Sequence, residues 1–160
     1  MLICGRAEYC CPLTDRGAKR SLKDRIAGEM SVDHTGVLER NFETTKELMR
    51  VSKDGTIDLL ARDRFGGKDQ IVLYLIGKLY AKEGGFSQTE EVGNKELMTE
   101  LGIPAGSLRP WLKALRDSGL VKPVKKDRYT NHVVQIHVVD RVLRDLAKKA
   151  KRVSEGGKSE

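Results

Sequence analysis

The side chains with the clearest potential for chemistry are basic ones in the second half of the chain. Arg109, Lys113 and Arg116 recur at intervals of four and three residues, which places them on one stripe of a helix. Four more basic residues follow in a short segment: Lys122, Lys125, Lys126 and Arg128. Guanidinium and ammonium groups bind phosphate, so this pattern indicates contact with a polyanion.

Charge is also segregated along the chain. Residues 105–132 carry seven basic and two acidic side chains, a net charge of +5, whereas residues 83–101 carry one basic and five acidic, a net charge of −4. The whole chain of 160 residues has a net charge of +7. A merely solvated surface intersperses the two signs, so the asymmetry favours an oriented polyanion contact. Aromatic residues make up only 5%, which argues against base stacking and favours a double helix as ligand.

Residues suited to catalysis or metal binding form no recognisable pattern in the sequence. There is no Gly-rich phosphate loop, no His and carboxylate pair at metal spacing, and no nucleophile within a known motif. Cys4, Cys10 and Cys11 lie close together, with His34 further on, but their spacing matches no structural zinc site. We therefore expect no metal, no cofactor and no enzymatic activity.

The first part of the chain predicts a helical extension. Residues 1–29 lack a sustained periodicity and indicate a flexible basic arm, and Met30 is an alternative start of the mature chain. Apolar residues at a 3.6-residue period predict an amphipathic helix over 37–49. Residues 30–67 would then consist of this helix, a short hairpin around the turn at 54–55, and a linker.

The segment 68–139 predicts three helices before a hairpin. The first is capped by Asp69 and is apolar on nearly every face, as a central core helix must be. The second is capped by Asn94 and ends at Gly102. The third covers residues 107–118 and has Ser107 as its N-cap and Pro110 in its first turn, where amides have no intrahelical partner. Its buried face is expected to consist of Leu108, Trp111, Leu112 and Leu115.

A hairpin and a last helix complete the pattern. Residues 120–139 predict two strands, with His132 and His137 on or near the second, in a surface or core-edge role. Residues 140–153 predict a helix and residues 154–160 a disordered tail. Apolar positions recur on that helix with spacings of four and three: Val139, Leu143, Leu146, Ala150 and Val153. This seam favours a homodimer through residues 139–153, and its alternative is packing on the chain's own core.

In order, these elements resemble the winged helix-turn-helix domain of bacterial and archaeal transcription regulators. The resemblance covers residues 69–139 and rests on Asn94 to Ile103, on Ser107 and Leu108, and on the run from Leu112 to Val121. That run looks like the exit from a recognition helix into a wing. The resemblance implies a mainly helical α+β fold, to which this chain adds an N-terminal helical extension and a C-terminal helix.

The docking mode of that family implies a role for each basic residue. The helix 107–118 is expected in the major groove, with Ser107, Arg109 and Lys113 nearest to base edges and flanking phosphates. Arg109 is the first choice for base readout, because a guanidinium bonds O6 and N7 of guanine together. Phosphate contacts are expected for Lys113 and Arg116 and for the wing residues of 120–139, namely Lys122, Lys125, Lys126 and Arg128.

The sequence therefore predicts a cytoplasmic protein that binds double-stranded DNA and regulates transcription. Two alternatives stay open: an RNA- or ribosome-associated module, because a basic wing also fits structured RNA, and a protein-interaction adaptor. No membrane partner is expected, since the apolar run from Ile71 ends at Lys78 and a membrane crossing needs roughly 20 residues.

Overall fold

The computed structural model of the chain describes residues 21–31 and 33–156. These residues belong to two units, an N-terminal one that ends at residue 32 and a larger one that begins at Asp33. The predictions for residues 1–20, for Cys4, Cys10 and Cys11, and for residues 157–160 lie outside the described residues.

The N-terminal unit contains a short helical segment. Helix α1 (Leu22–Arg25) continues directly into a π-helical turn (Ile26–Met30), and Ser21 caps α1 by accepting a hydrogen bond from the amide of Lys23. The expectation of an irregular arm over residues 1–29 is therefore wrong for this part. The physical reason is local, since a Ser N-cap satisfies one of the amides that a helix start leaves without a partner.

The larger unit is mostly helical with two small antiparallel sheets, which agrees with the predicted α+β class. Its described helices are α2 (His34–Arg40), α3 (Phe42–Leu48), α4 (Gly67–Glu83), α5 (Asn94–Leu101), α6 (Ala105–Asp117) and α7 (Ile136–Gly156), with a 3-10 turn at Arg62–Arg64. Its strands are β1 (Met49–Val51), β2 (Ile57–Leu59), β3 (Val92–Gly93), β4 (Val121–Lys126) and β5 (Tyr129–Val134). None of the described helices is long and apolar enough to cross a membrane.

Helix α4 lies at the centre of the core. Every residue from Ile71 to Gly77 is buried, so this helix has to be covered on several sides. Helices α5 and α6, strand β5 and the β1–β2 hairpin all contact it. At Gly77 the hairpin comes so close that an added Cβ would lie 2.7 Å from Cγ2 of Ile57. The predicted hairpin and the predicted core helix are thus confirmed, and they pack on each other.

Strand β5 is the middle strand of the larger sheet, with β3 on one side and β4 on the other. His132 pairs with Val92 of β3 and with Pro123 of β4. The β4–β5 turn contains Asp127, which adopts a positive φ of 49°. This sheet carries the side chains of the predicted wing.

The helix predicted over 37–49 is in fact two helices. It breaks at Asn41, whose side-chain amide donates a 2.8 Å hydrogen bond to the carbonyl of Val37. Asn competes with the backbone for such bonds, so α2 ends at Arg40, and α3 begins as a separate helix at Phe42. As a result Phe42, one of the apolar residues that follow the helical period over 37–49, is 50% exposed.

Helix α6 begins earlier than predicted. It starts at Ala105 after Pro104, whose carbonyl accepts from the amides of both Ser107 and Leu108. Ser107 is therefore inside the helix and is not its N-cap, and the helix ends at Asp117 instead of residue 118. Pro110 consequently lies in the second turn, where its missing amide deprives the Gly106 carbonyl of its usual donor.

The second predicted strand is too long. Strand β5 ends at Val134 and α7 begins at Ile136, so His137 and the β-branched residues up to 139 are helical. The run of β-branched residues favours a strand, but burial of Val139, Leu143 and Leu146 on one helical face outweighs that preference. At its other end α7 reaches Gly156, so residues 154–156 of the predicted disordered tail are helical.

The predicted seam of the last helix is largely buried within the chain. Val139, Leu143 and Leu146 are at most 2% exposed in the common core, whereas Val153 is 52% exposed. Helices α2 and α3 and the 3-10 turn at Arg62–Arg64 pack on α7. The observed packing matches the alternative stated for this seam, and a homodimer through residues 139–153 stays a prediction.

The contact between α4 and α6 leads to a test of the fold. An added Cβ at Gly67 would lie 2.0 Å from Cζ3 of Trp111, the single tryptophan, so we expect Gly67→Ala to push the indole outward. Overpacking of this kind destabilises by about 1–3 kcal/mol. Urea unfolding would measure the loss, and Trp fluorescence of the folded variant should shift to the red.

A matched substitution controls for the change of Gly to Ala itself. At Gly106, in α6, an added Cβ meets no atom within 4 Å. Gly106→Ala should therefore stabilise the helix by about 0.5–1 kcal/mol. Equal effects of the two substitutions would contradict the packing described for Trp111.

Candidate nucleic-acid interface

Helix α6 has one apolar face and one basic face. Leu108, Leu112 and Leu115 are buried against the core, as predicted. Arg109, Lys113 and Arg116 are exposed, so the predicted basic stripe exists on the outer face of the helix. Trp111 is half-buried at the edge of the core, and Ser107 is also half-buried, in the first part of the helix.

The guanidinium and ammonium groups of this stripe are available to a ligand. Arg109 and Lys113 form no ion pair with any residue in the described part of the chain. Arg116 lies along its own helix, where its Nε donates a 3.4 Å hydrogen bond to the carbonyl of Leu112. That bond leaves the terminal nitrogens of Arg116 free to donate outward.

The four basic residues of the β4–β5 hairpin are exposed on both faces of the sheet. Side chains alternate along a strand, so Lys122 and Lys126 project to the face opposite His132, while Lys125 is on the same face as His132 but nearer the tip. Arg128 lies in the turn. Basic side chains therefore project from both faces of the hairpin and from its turn.

Lys126 differs from the other three because it is already paired. Its Nζ lies 2.9 Å from Oε2 of Glu91, and the same carboxylate accepts a 3.1 Å hydrogen bond from Nδ2 of Asn131. Hydrogen bonds from Lys126 and Asn131 hold the pKa of Glu91 below its ordinary value. Lys126 therefore has a structural role besides the phosphate contact expected for it. It connects the hairpin to the segment before β3.

The hairpin is also connected to α5 by a hydrogen bond that the sequence did not predict. His132 is 2% exposed, and its Nε2 lies 2.8 Å from Oδ1 of Asn94, the first residue of α5. Asn94 was expected to cap α5, but Gly93 occupies the N-cap position. The alternating pattern of β5 does indicate a buried residue at 132, yet nothing in the sequence identifies Asn94 as its partner.

The environment of His132 keeps the imidazole neutral. Nε2 donates a hydrogen bond to Oδ1 of Asn94. Nδ1 is buried and has no hydrogen-bond partner in the described structure. Burial lowers the pKa of His132 below its ordinary value of 6.5, and the nearby Arg116 lowers it further. No set of three or more potential metal ligands comes together within the described part of the chain.

A separate apolar groove of about 900 Å³ lies at the other side of the core. It runs between α3, β1 and the C-terminal end of α4, and its walls include Phe42, Tyr80 and Phe86. The hydroxyl of Tyr80 donates a 2.7 Å hydrogen bond to the carbonyl of Leu38 and lies 3.1 Å from Oγ1 of Thr45. None of the residues predicted for nucleic-acid binding lines this groove.

Comparison of the chain with family models, with curated proteins and with solved structures finds no match. Function is therefore inferred from the geometry and charge of the interface.

The buried imidazole predicts a pH dependence of stability. In the unfolded chain His132 titrates near 6.5, whereas in the folded chain it stays neutral to a lower pH. Because the unfolded state binds the proton more readily, the free energy of unfolding should fall as the pH decreases below about 6.5. Chemical unfolding measured between pH 5 and 7 would show this loss, and His132→Gln should reduce it.

The exposed histidine of α7 supplies the control. His137→Gln removes an imidazole of the same kind from an exposed position, so its pH dependence should match that of the original chain. Identical slopes for His132→Gln and for the original chain would mean that His132 is not held neutral by burial.

Proposed function

We propose that this chain is a winged helix-turn-helix protein that binds double-stranded DNA and regulates transcription. In this proposal α6 is the recognition helix, and the β4–β5 hairpin is the wing. The order of elements from α4 to β5, in which three helices precede a two-stranded hairpin, supports the proposal, since it is the order on which the resemblance rests.

The observation that carries the proposal is the unequal pairing of charges. Among the five acidic residues of 83–101, three are bound to lysines: Glu90 to Lys82, Glu91 to Lys126 and Glu96 to Lys78. Among the seven basic residues of the interface, Lys126 alone forms an ion pair with a described residue. The acidic side is thus largely neutralised within the chain, while the positive charge of α6 and the wing stays exposed to an anionic ligand.

In this proposal the recognition helix and the wing have different roles in binding. In the major groove Arg109 is placed on the N-terminal half of α6, and a bidentate contact to guanine discriminates by about 1–3 kcal/mol. The wing lysines would instead neutralise phosphates, which raises affinity for any sequence. Such a protein finds its site by charge and holds it by a small number of base contacts.

Removal of wing charges tests the phosphate role. We expect Lys122→Ala with Lys125→Ala to weaken binding to all duplexes alike and to reduce the slope of log K against log salt by about 0.9 for each phosphate that is no longer neutralised. Fluorescence anisotropy over a salt series would measure both. The control is Arg40→Ala with Lys53→Ala, which removes the same charge from exposed positions outside the interface. If this control lowered the slope equally, net charge and not the wing would explain binding.

Removal of the central guanidinium tests base readout. Arg109→Ala should bring the affinities for preferred and random duplexes closer together while it changes the salt slope by no more than about 0.9, the value for a single phosphate. Binding to a pool of random duplexes, followed by sequencing of the retained fraction, would measure the preference. An unchanged preference would contradict the assigned role of Arg109.

The same experiments discriminate the alternatives. Tighter binding to a structured RNA than to duplex DNA at equal salt would favour the RNA-associated module. Absence of binding to any nucleic acid at low salt would overturn the proposal and favour the protein-interaction adaptor.

A further inference from the structure

Three large apolar side chains of the N-terminal unit are exposed along one face of its helical segment. Leu22, Ile26 and Met30, the apolar stripe, are between 46% and 77% exposed. They follow one another at intervals of four residues, which places them on the same face. The π turn, closed by the bond from the amide of Ser31 to the carbonyl of Ile26, keeps Met30 close to that face. Contiguous exposed apolar side chains of this kind mark an interaction site.

Charged residues border the apolar stripe on both sides. On one side Nη2 of Arg25 lies 3.9 Å from Oε2 of Glu29. On the other side Lys23 forms no ion pair with any described residue. The segment 22–30 is therefore amphipathic, and helices with such a pattern bind by laying their apolar face into a groove.

The apolar groove beside α3 and β1 has a surface that fits such a helix. Its walls include Leu38, Phe42, Met49 and Phe86, and both phenylalanines are exposed, by 50% and 42%. Its volume of about 900 Å³ lies near the upper end of the range of about 300–1,000 Å³ that is typical of ligand sites. The groove therefore has room for several large side chains.

Two hydroxyl groups that line this groove are already hydrogen-bonded within the chain. Tyr80 donates to the carbonyl of Leu38, and Oγ1 of Thr45 donates a 2.8 Å hydrogen bond to the carbonyl of Asn41. A polar group that loses water without gaining another partner is costly to bury. Because these two hydroxyls keep their partners, apolar side chains can cover them without that cost.

The charges around the groove argue against an anionic occupant. Four charged residues line it: Glu39, Glu83, Lys46 and Arg50. Nζ of Lys46 lies 2.9 Å from Oε2 of Glu43, which neutralises it, so Arg50 remains against the two glutamates. Glu39 and Glu83 form no ion pair with a described residue. These carboxylates would repel a polyanion and complement the charge of Lys23 beside the apolar stripe.

We propose that the apolar stripe of one copy of the chain packs into the apolar groove of a second copy, and the stripe of the second copy into the groove of the first. Each copy carries both surfaces, so this exchange closes a dimer with two-fold symmetry. The apolar residues of α7 that bury in the chain's own core, such as Leu143 and Leu146, are not needed for it. The inference does not rest on the proposed function and goes beyond it.

A charge placed on either surface tests the exchange. Loss of a central apolar contact weakens binding about thirtyfold, and a homodimer of Ile26→Glu or of Phe42→Glu loses it at both contacts. The dimer Kd of each variant should therefore rise roughly a thousandfold, as measured by sedimentation velocity over a series of protein concentrations. A monomer at every concentration of the original chain would overturn the inference.

Matched variants control for the added charge. Gly28→Glu adds the same charge to the face of the segment opposite the stripe, where a Cβ meets no atom within 4 Å. Leu60→Glu adds it at an apolar residue that is 47% exposed and does not line the groove. Neither should change the dimer Kd. An effect of these controls as large as that of Ile26→Glu would overturn the assignment of the stripe.

A mixture of the two interface variants separates a lost contact from a lost fold. In the mixed dimer the Phe42→Glu copy supplies an intact stripe and the Ile26→Glu copy an intact groove, so one of the two contacts is restored. The mixed dimer should bind about thirtyfold more tightly than the homodimer of either variant. No gain on mixing would contradict the exchange.

Photo-cross-linking identifies what occupies the groove. A photoreactive amino acid in place of Leu22, in a mixture of isotopically light and heavy chains, should form cross-links to Phe86 and its neighbours that join a light to a heavy peptide. Cross-links within single chains only would overturn the role of the second copy. Saturable binding of an apolar dye to a protein that stays monomeric, abolished by Phe42→Glu, would also overturn it and would indicate a small-molecule site.

Discussion

Helix α4 is buried on every side from Ile71 to Gly77, and the rest of the larger unit follows from this constraint. Burying a Leu or Ile side chain contributes about 1.5–3 kcal/mol, so a helix that is apolar from Ile71 to Gly77 is stable only when other elements surround it. The β1–β2 hairpin, α5, α6 and β5 do so. The three leucines of α6 are therefore drawn inward, and its basic residues are left on the outside as a consequence of the core.

The same constraint determines where charge is tolerated. Lys78 projects from α4 and is largely covered, and its Nζ lies 2.7 Å from Oε1 of Glu96, which also accepts a 2.9 Å hydrogen bond from Tyr74. Burial, followed by the hydrogen bond and charge of Glu96, raises the pKa of Tyr74 and keeps its hydroxyl protonated. Glu96 of α5 thus provides the polar partner for both Lys78 and Tyr74 of the core helix. The basic residues of α6 have no such internal role.

Sequence reasoning predicted the parts of this fold that depend on strong local signals. Three such signals are confirmed by the structure: the continuous apolar run of α4, the αL glycine after α5 and the leucine spacing of α6. Each of them has one dominant physical cause. Failures occur where two preferences compete. Ile136, Val138 and Val139 are β-branched but helical because α7 buries Val139 in the core together with Leu143 and Leu146. Asn41 breaks a helix whose apolar period continues through it. Contacts between distant residues, such as Asn94 with His132 or Arg62 with Leu101, leave no trace in a single sequence.

In the proposed function, these distant contacts would order the interface before a ligand arrives. A two-stranded hairpin is marginally stable alone, and Lys125 and Arg128 near the tip of the wing carry exposed positive charges that repel each other. Here Glu91 ties its outer face to the segment before β3, and His132 ties its inner face to α5. Association loses less conformational entropy when the contacting groups are already fixed, so more of the electrostatic attraction remains as affinity. The cost of this rigidity is a buried Nδ1 atom that has no partner in the described structure, a polar group that the fold tolerates while Nε2 of the same imidazole holds the hairpin to α5.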